Sequence, residues 1–214
     1  MTFFTDLTPC TYFAGHLAPS PQLLAVGWLD TVHPFPRGAV AHHTLLRLAR
    51  LVAPDMEPDA AADPLPPGVV RVPWQPVLAC GYHECEICSH DTTNWPPALH
   101  PRHSDRVLIE GRTLRVGANN LFVPGDGVVY LAPDLILHYI LAHDYLPPRP
   151  FLMAVRRCPG SHSAAYRDLI VANGPSYLRD PSYWQGYPPR DPTPMPTPGT
   201  SQVWRMLRGW LSRS

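Results

Sequence analysis

The chain of 214 residues carries 29 prolines and 17 basic residues, all of them arginine, so it contains no lysine. Proline at this frequency, against a usual share of ~5%, excludes a long-helix bundle or coiled coil. The missing lysine excludes P-loop and kinase phosphoryl transfer and any Schiff-base mechanism. The 17 acidic residues bring the formal net charge to zero, which argues against a general polyanion binder.

The N-terminal sequence and the cysteine count indicate where in the cell the protein is located. The first six residues show no basic region followed by an apolar stretch, and no apolar run reaches the ~20 residues of a membrane span. Five cysteines is an odd number, and Cys80, Cys85 and Cys88 lie within nine residues. This clustering suits metal ligation in a reducing compartment better than a disulfide framework, so we expect a cytoplasmic protein.

The first elements are a strand and a helix. Residues 22–29 form a short apolar run that stops at a His-Pro-Phe-Pro turn, which predicts a buried strand. Residues 41–53 place leucines at helical spacing and end at a proline. Seven prolines then fall between 54 and 76, which predicts an extended surface loop.

A small antiparallel sheet is predicted in the middle of the chain. Residues 106–116 have the pattern of a β-hairpin that turns near Glu110-Gly111. The glycine-rich turn 125–127 leads into a strand at 128–131. We expect these strands to pack against short helices and to carry a zinc-knuckle-like loop, which gives an α+β fold.

Three short helices follow the sheet. Pro133 suits a first helical position with Asp134 near the positive end of the helix dipole, and the helix is expected to continue through 135–143. Residues 151–157 and 163–172 predict two further helices, separated by a Cys-Pro-Gly break.

The chain is therefore divided into three parts. Residues 1–180 form a single metal-stapled α+β domain, and residues 181–200 form a proline-rich linker of extended polyproline type. Residues 201–214 predict a basic amphipathic C-terminal helix, a kind of segment that docks on its own core, on a partner protein or on an anionic membrane surface.

The densest chemical pattern is the segment CGYHECEICSH at 80–90. Cys85 and Cys88 form a C-x-x-C pair, the spacing that lets two thiolates of one turn reach a single tetrahedral ion. His83 lies two residues upstream and adds a third donor. A thioredoxin-like redox pair is less favoured, because the segment follows a proline-rich loop rather than the end of a strand.

A closed structural zinc site needs a fourth ligand. Cys80 and His90 are local candidates, and His138 and His143 are distant ones. The two distant histidines are five residues apart, about 140° around an α-helix, so both could hardly face one ion without local distortion. We favour His138, with Asp134 as a partner that orients its imidazole. The predicted structural zinc site is made of His83, Cys85, Cys88 and His138.

Five short motifs support this choice: Tyr12-Phe13, Gly27-Trp28-Leu29, His83-x-Cys85-x-x-Cys88, Gly127-Val128-Val129-Tyr130-x-Ala132-Pro133 and His138-Tyr139-Ile140-x-x-His143-x-Tyr145-x-Pro147-Pro148. Together they resemble an uncharacterised family of small bacterial proteins, over about residues 5–157. The resemblance implies that both distant histidines belong to one pattern with the knuckle, and that Cys80 falls outside it.

Two classes of function fit these patterns. The first is a non-enzymatic, zinc-stabilised binding or adaptor protein whose partner is another protein; an accessory or immunity-type role in bacterial competition fits it. The second is a zinc-dependent hydrolase with Glu84 or Glu86 as general base. The deaminase and metalloprotease patterns H-x-E and H-E-x-x-H are both absent, so we lean towards the first class, without an enzymatic activity.

Overall fold

A computed structural model of the chain describes residues 2–12, 20–53, 83–90, 105–161 and 163–179. Its strands are β1 (Leu23–Ala25), β2 (Arg106–Ile109), β3 (Arg112–Arg115), β4 (Asn120–Pro124) and β5 (Val129–Pro133). Its helices are α1 (His42–Val52), α2 (Glu86–His90), α3 (Ile136–His143), α4 (Arg149–Arg157) and α5 (Ala164–Asn173), followed by a 3₁₀ helix at Ser176–Arg179. The protein is a mixed α+β fold with small sheets and short helices, as predicted.

The larger sheet has the strand order β1-β5-β4. All five residues of the central strand β5 are buried, and so are all five of β4. The sheet is antiparallel between β4 and β5, but β1, which was predicted only as a buried strand, pairs in parallel with β5, with Leu23 opposite Val129. The strand β4 was not predicted at all. The parallel pairing joins segments about a hundred residues apart, which local patterns do not record.

The hairpin β2–β3 forms a second, two-stranded sheet. Its turn lies where the sequence predicts it, since Glu110 and Gly111 have φ values of +48° and +75°. Two consecutive residues with positive φ match the right-handed twist of the flanking strands, which is why this dipeptide can close a tight hairpin.

The helices lie where the sequence predicts them between proline and glycine breaks, with one correction. The helices predicted at 41–53, 151–157 and 163–172 are present as α1, α4 and α5. Pro133 does not begin a helix: it is the last residue of β5, and α3 starts three residues later at Ile136. The strand continues up to the proline because its pairing with β4 extends to Asn120.

One hydrophobic core connects these elements. Helix α1 packs against α3 and α4, while α4 and α5 pack against β4. The indole of Trp28 is 1% exposed and donates its Nε1 proton to the carbonyl of Leu131 at 3.0 Å, which joins the segment after β1 to the central strand. The core thus places α3 directly after the central strand, with its buried face towards segment 83–90.

Several predicted features lie outside the described residues. They are the proline-rich loop 54–76, Cys80, the linker 181–200 and the C-terminal segment 201–214. Within the described ranges, no helix has the length and apolar character needed to cross a bilayer.

Candidate metal centre

The two cysteines of the C-x-x-C pair lie at the start of α2 and are almost fully buried. Cys85 is 1% exposed and Cys88 is 0% exposed. The backbone N–H of Cys88 points at Cys85 Sγ, 3.4 Å away, which places a positive dipole against that sulfur. Upstream, the N–H of His83 donates to the carbonyl of Gly117 at 2.7 Å and ties the segment to the loop between β3 and β4.

Helix α3 supplies two histidines from the other side of the site. His138 is 3% exposed and His143, the last residue of the helix, is 5% exposed. The helix does not end as a regular α-helix: the N–H of Asp144 donates to Tyr139 O, five residues back, and Asp144 has a φ of +54°. This i→i−5 closure adds one residue to the last turn. The widened turn brings residues 138 and 143 onto one face, although ideal α-geometry separates them.

The side-chain donors of these four residues converge on one point. Cys88 Sγ lies 3.2 Å from His138 Nε2 and 3.3 Å from His143 Nε2. Cys85 Sγ lies 3.2 Å from the same Nε2 atom of His143. All four donor atoms lie within 4.8 Å of one another.

This set fits a tetrahedral metal ion. With metal–sulfur bonds of ~2.3 Å and metal–nitrogen bonds of ~2.0–2.1 Å, tetrahedral geometry puts sulfur and nitrogen about 3.5 Å apart. The observed separations of 3.2–3.3 Å are shorter by a few tenths of an ångström. Two thiolates and two imidazoles are a donor set that structural zinc sites use, so the buried cluster is compatible with a metal site.

The cluster also favours the deprotonated sulfur that a metal requires. The hydrogen bond with Cys88 is the main cause that lowers the pKa of Cys85, and bonds to His138 and His143 add to it against the effect of burial. Burial raises the pKa of the neighbouring Tyr139, and the charges of the two cysteines raise it further. The site is therefore prepared to hold negative charge on sulfur beside a tyrosine that stays neutral.

The structure brings together three of the four predicted ligands, and His143 takes the place of His83 as the fourth member of the cluster. Cys85, Cys88 and His138 lie in the cluster, and His143 completes it. His83 is not a member: its Nε2 lies 3.5 Å from the hydroxyl of Tyr12. The signal that points to His143 is its position at the end of a short helix, where the turn geometry departs from the ideal period.

Of the other two candidates for the fourth ligand, Cys80 lies outside the described residues. His90 belongs to α2, but its side chain is not described. The two glutamates that flank Cys85 are described: Glu84 is exposed and Glu86 is partly exposed.

Asp134 does not orient His138, contrary to the prediction. Its carboxylate is 2% exposed and accepts the N–H of Gly117 at 2.6 Å and that of Asn119 at 3.1 Å. Burial raises the pKa of Asp134, and the hydrogen bonds from these amides oppose that rise. Asp134 therefore holds loop 117–119 against the start of α3, and the same loop accepts the N–H of His83. It positions both halves of the cluster through the backbone.

The fold and this site define a small α+β protein with a buried Cys₂His₂ cluster that is compatible with a metal ion. The chain belongs to the family of the domain of unknown function DUF7919, whose model matches residues 2–156. This confirms the resemblance to an uncharacterised family. Searches of curated proteins and of solved structures found no match.

Proposed function

We propose that the protein is a non-enzymatic binding protein whose fold is held together by one structural zinc ion. The ligands would be Cys85, Cys88, His138 and His143. The observation that carries the proposal is their burial, because none is more than 5% exposed while their donor atoms surround one point. Structural zinc sites are closed by four protein ligands, whereas catalytic sites keep one position open for water.

Zinc fits this set better than the other common metals. Magnesium, calcium and manganese prefer oxygen donors in octahedral or larger shells, while two sulfurs and two imidazoles arranged tetrahedrally suit zinc. The bound ion would supply folding free energy. The ligands would be positioned by two helices: Cys85 lies directly before α2 and Cys88 within it, and both histidines belong to α3.

The ion would act as a long-range cross-link. Cys88 and His138 are 50 residues apart, and Cys85 and His143 are 58 apart. Helix α2 has only five residues, too few to be stable by itself. The zinc ion would therefore fasten α2 and the chain around it to the helix that follows the central strand.

The hydrolase alternative has less support. A zinc-bound water needs an open coordination position and a general base within reach. The cluster already offers four buried protein donors, and of the two candidate bases Glu84 is exposed and Glu86 is partly exposed.

The binding role rests on the closed metal site together with the composition of the chain. A cationic surface built from arginine alone suits planar, bidentate contacts with carboxylates. The partner is proposed to be another protein, and residues 201–214 are a candidate for contact with a partner or a membrane surface. None of the four described cysteines, Cys10, Cys85, Cys88 and Cys158, forms a disulfide, which supports a cytoplasmic location.

The test is the metal itself. Purified protein should contain one zinc per chain by elemental analysis. Cobalt exchanged into the site should show the intense visible absorption of a tetrahedral thiolate–imidazole complex. A protein that is folded without metal and gives no such cobalt spectrum would overturn the proposal. A cobalt spectrum that changes when a competing anion is added would reveal an exchangeable coordination position and would instead favour the hydrolase.

A further inference from the structure

A second site lies away from the metal cluster, in an open cavity of about 610 Å³. Its walls are helix α4, helix α5 and the turn between β4 and β5. Small-molecule and peptide sites commonly have volumes of ~300–1,000 Å³. None of the four cluster residues lines this cavity, which we call the α4–α5 groove.

One wall of the α4–α5 groove is a single face of α4. Arg149, Met153 and Arg157 line it, and they follow one another at four-residue spacing. Eight residues of helix place the two arginines about 12 Å apart along the axis. Both arginines are exposed, and neither has a carboxylate partner within the described part of the chain. The wall thus presents two guanidinium groups without a carboxylate partner in the described ranges, and an apolar side chain lies between them.

The opposite wall and the floor add apolar surface and one hydroxyl. Leu169 on α5 is 39% exposed, and Met153 is 38% exposed. On the floor, Tyr130 is 6% exposed, and its hydroxyl has no hydrogen-bond partner among the described residues. Its ring is fixed by an edge-on contact with Phe151 at 5.8 Å and by Gly125, where a Cβ would lie 2.7 Å from the ring.

The charge of the groove selects an anionic occupant. Asp126, on the β4–β5 turn, is the one acidic residue among those that line it, so the lining carries one net positive charge. The chain's own segment 201–214 is a poor occupant, because its charged residues are three arginines. Carboxylates are the natural complement of unpaired guanidinium groups, which they can bind through two hydrogen bonds.

We propose that the α4–α5 groove binds an acidic segment of a partner protein in extended conformation, with two carboxylates four residues apart and an apolar side chain between them. Four residues of extended chain span about 13 Å, close to the ~12 Å between the arginines. The apolar side chain would lie between Met153 and Leu169. The hydroxyl of Tyr130 would bond to the peptide backbone. The inference rests on the proposed binding function and specifies that the partner binds through an acidic segment.

The test uses a fluorescein-labelled peptide with glutamates at its first and fifth positions, leucine at the third and alanine elsewhere. Titrated with the full-length protein, it should bind with a dissociation constant below about 500 μM at low salt, and more weakly as salt is added. A peptide with arginine in place of both glutamates should not bind.

The matched variants are Arg157→Glu and Arg156→Glu. Both replace exposed arginines in the last turn of α4 by the same residue, but only Arg157 lines the groove. Arg157→Glu should weaken peptide binding by about tenfold or more, and Arg156→Glu by no more than about twofold. Met153→Ser should also weaken binding, whatever the salt concentration.

Three outcomes would overturn the inference: no binding up to about 1 mM peptide, equal losses in the two arginine variants, or equal binding of the reversed-charge peptide. A concentration-dependent dimer that Arg157→Glu abolishes would assign the groove to a second copy of the chain instead. Zinc content is measured on the same samples. If the protein contains one zinc per chain but does not bind the peptide, only this inference is overturned. If the protein is folded without metal, the proposed function is overturned.

Discussion

At the scale of single residues, the candidate metal centre depends most on Cys88. Its sulfur lies within 3.3 Å of the Nε2 atoms of both His138 and His143, and its own N–H points at Cys85 Sγ. The side chain is fully buried, so water cannot replace a lost ligand without opening the core. Replacing Cys88 should therefore affect zinc content and stability more than replacing a buried cysteine outside the cluster.

Cys88→Ser should abolish stoichiometric zinc binding and lower the free energy of unfolding by more than about 4 kcal/mol, because losing a metal is among the largest single-site effects. The matched control is Cys158→Ser. Cys158 is 2% exposed, but it lies outside the cluster, and its Sγ donates to the carbonyl of Pro159, which a serine hydroxyl can also do. Elemental analysis and thermal melts of both variants check the prediction, and equal zinc contents would contradict it.

Asp134 is the second residue whose role can be isolated. Asp134→Asn keeps one acceptor oxygen but turns an NH₂ group towards backbone donors, so we expect a loss of about 1–3 kcal/mol in the free energy of unfolding. Asp168→Asn is the control, since that side chain is 67% exposed and surface changes stay within about 0.5 kcal/mol. Urea denaturation of the two variants makes the comparison. Equal stabilities would mean that the bonds to Gly117 and Asn119 contribute nothing.

At the scale of elements, the site depends on where α3 begins and how it ends. Its last turn is widened by the bond from Asp144 to Tyr139, which aligns the two histidines. Its first residue, Ile136, packs against Gly27, which follows β1. The contact of Ile136 with Gly27 places the first end of α3, so a displacement at that end should lower the zinc affinity of the site.

Gly27→Ala should disturb α3. Gly27 has a φ of +73°, and an added Cβ would lie 2.9 Å from Ile136 Cδ1. We expect the strained φ and the close contact together to cost about 2–4 kcal/mol. Gly111→Ala separates the two causes, because Gly111 has a φ of +75° but nothing within 4 Å of the added atom; it should cost only ~1–2 kcal/mol. Zinc affinity should fall in the first variant and not in the second. Equal effects on stability and zinc affinity would show that Ile136 is not a constraint.

At the scale of the whole molecule, the cluster joins two segments that lie far apart along the chain. It links two cysteines of segment 83–90 to histidines that lie 50 to 58 residues further along the chain, inside the same core that holds the central strand β5. Because the four cluster residues are buried in the native fold, an ion that binds only the native state would stabilise that state by mass action.

Removing the metal should therefore destabilise the whole protein. Excess EDTA should lower the melting temperature by about 10 °C or more, since each kcal/mol lost shifts the midpoint by ~2–4 °C in a chain of this size. Added zinc should restore it. Cys88→Ser, which lacks the site, should melt at the same temperature with and without EDTA. If EDTA removes the zinc but leaves the melting temperature of the wild-type protein unchanged, the ion has no structural role.

Features that depend on near neighbours along the chain can be predicted from the sequence. The positive-φ dipeptide Glu110-Gly111 specifies the hairpin, proline and glycine end the short helices, and the C-x-x-C spacing puts two sulfurs in one turn. Each of these depends on residues within four or five positions along the chain, where steric limits and hydrogen-bond geometry act directly.

Which distant groups meet depends on the tertiary structure. β1 runs parallel to β5, and His143 rather than His83 completes the cluster, because Asp144 widens the last turn of α3 while His83 turns towards Tyr12. Ligand choice at a buried site depends on sub-ångström placement of segments more than 50 residues apart. The packing of α3 against the rest of the core sets that placement, and no local pattern in the sequence carries it.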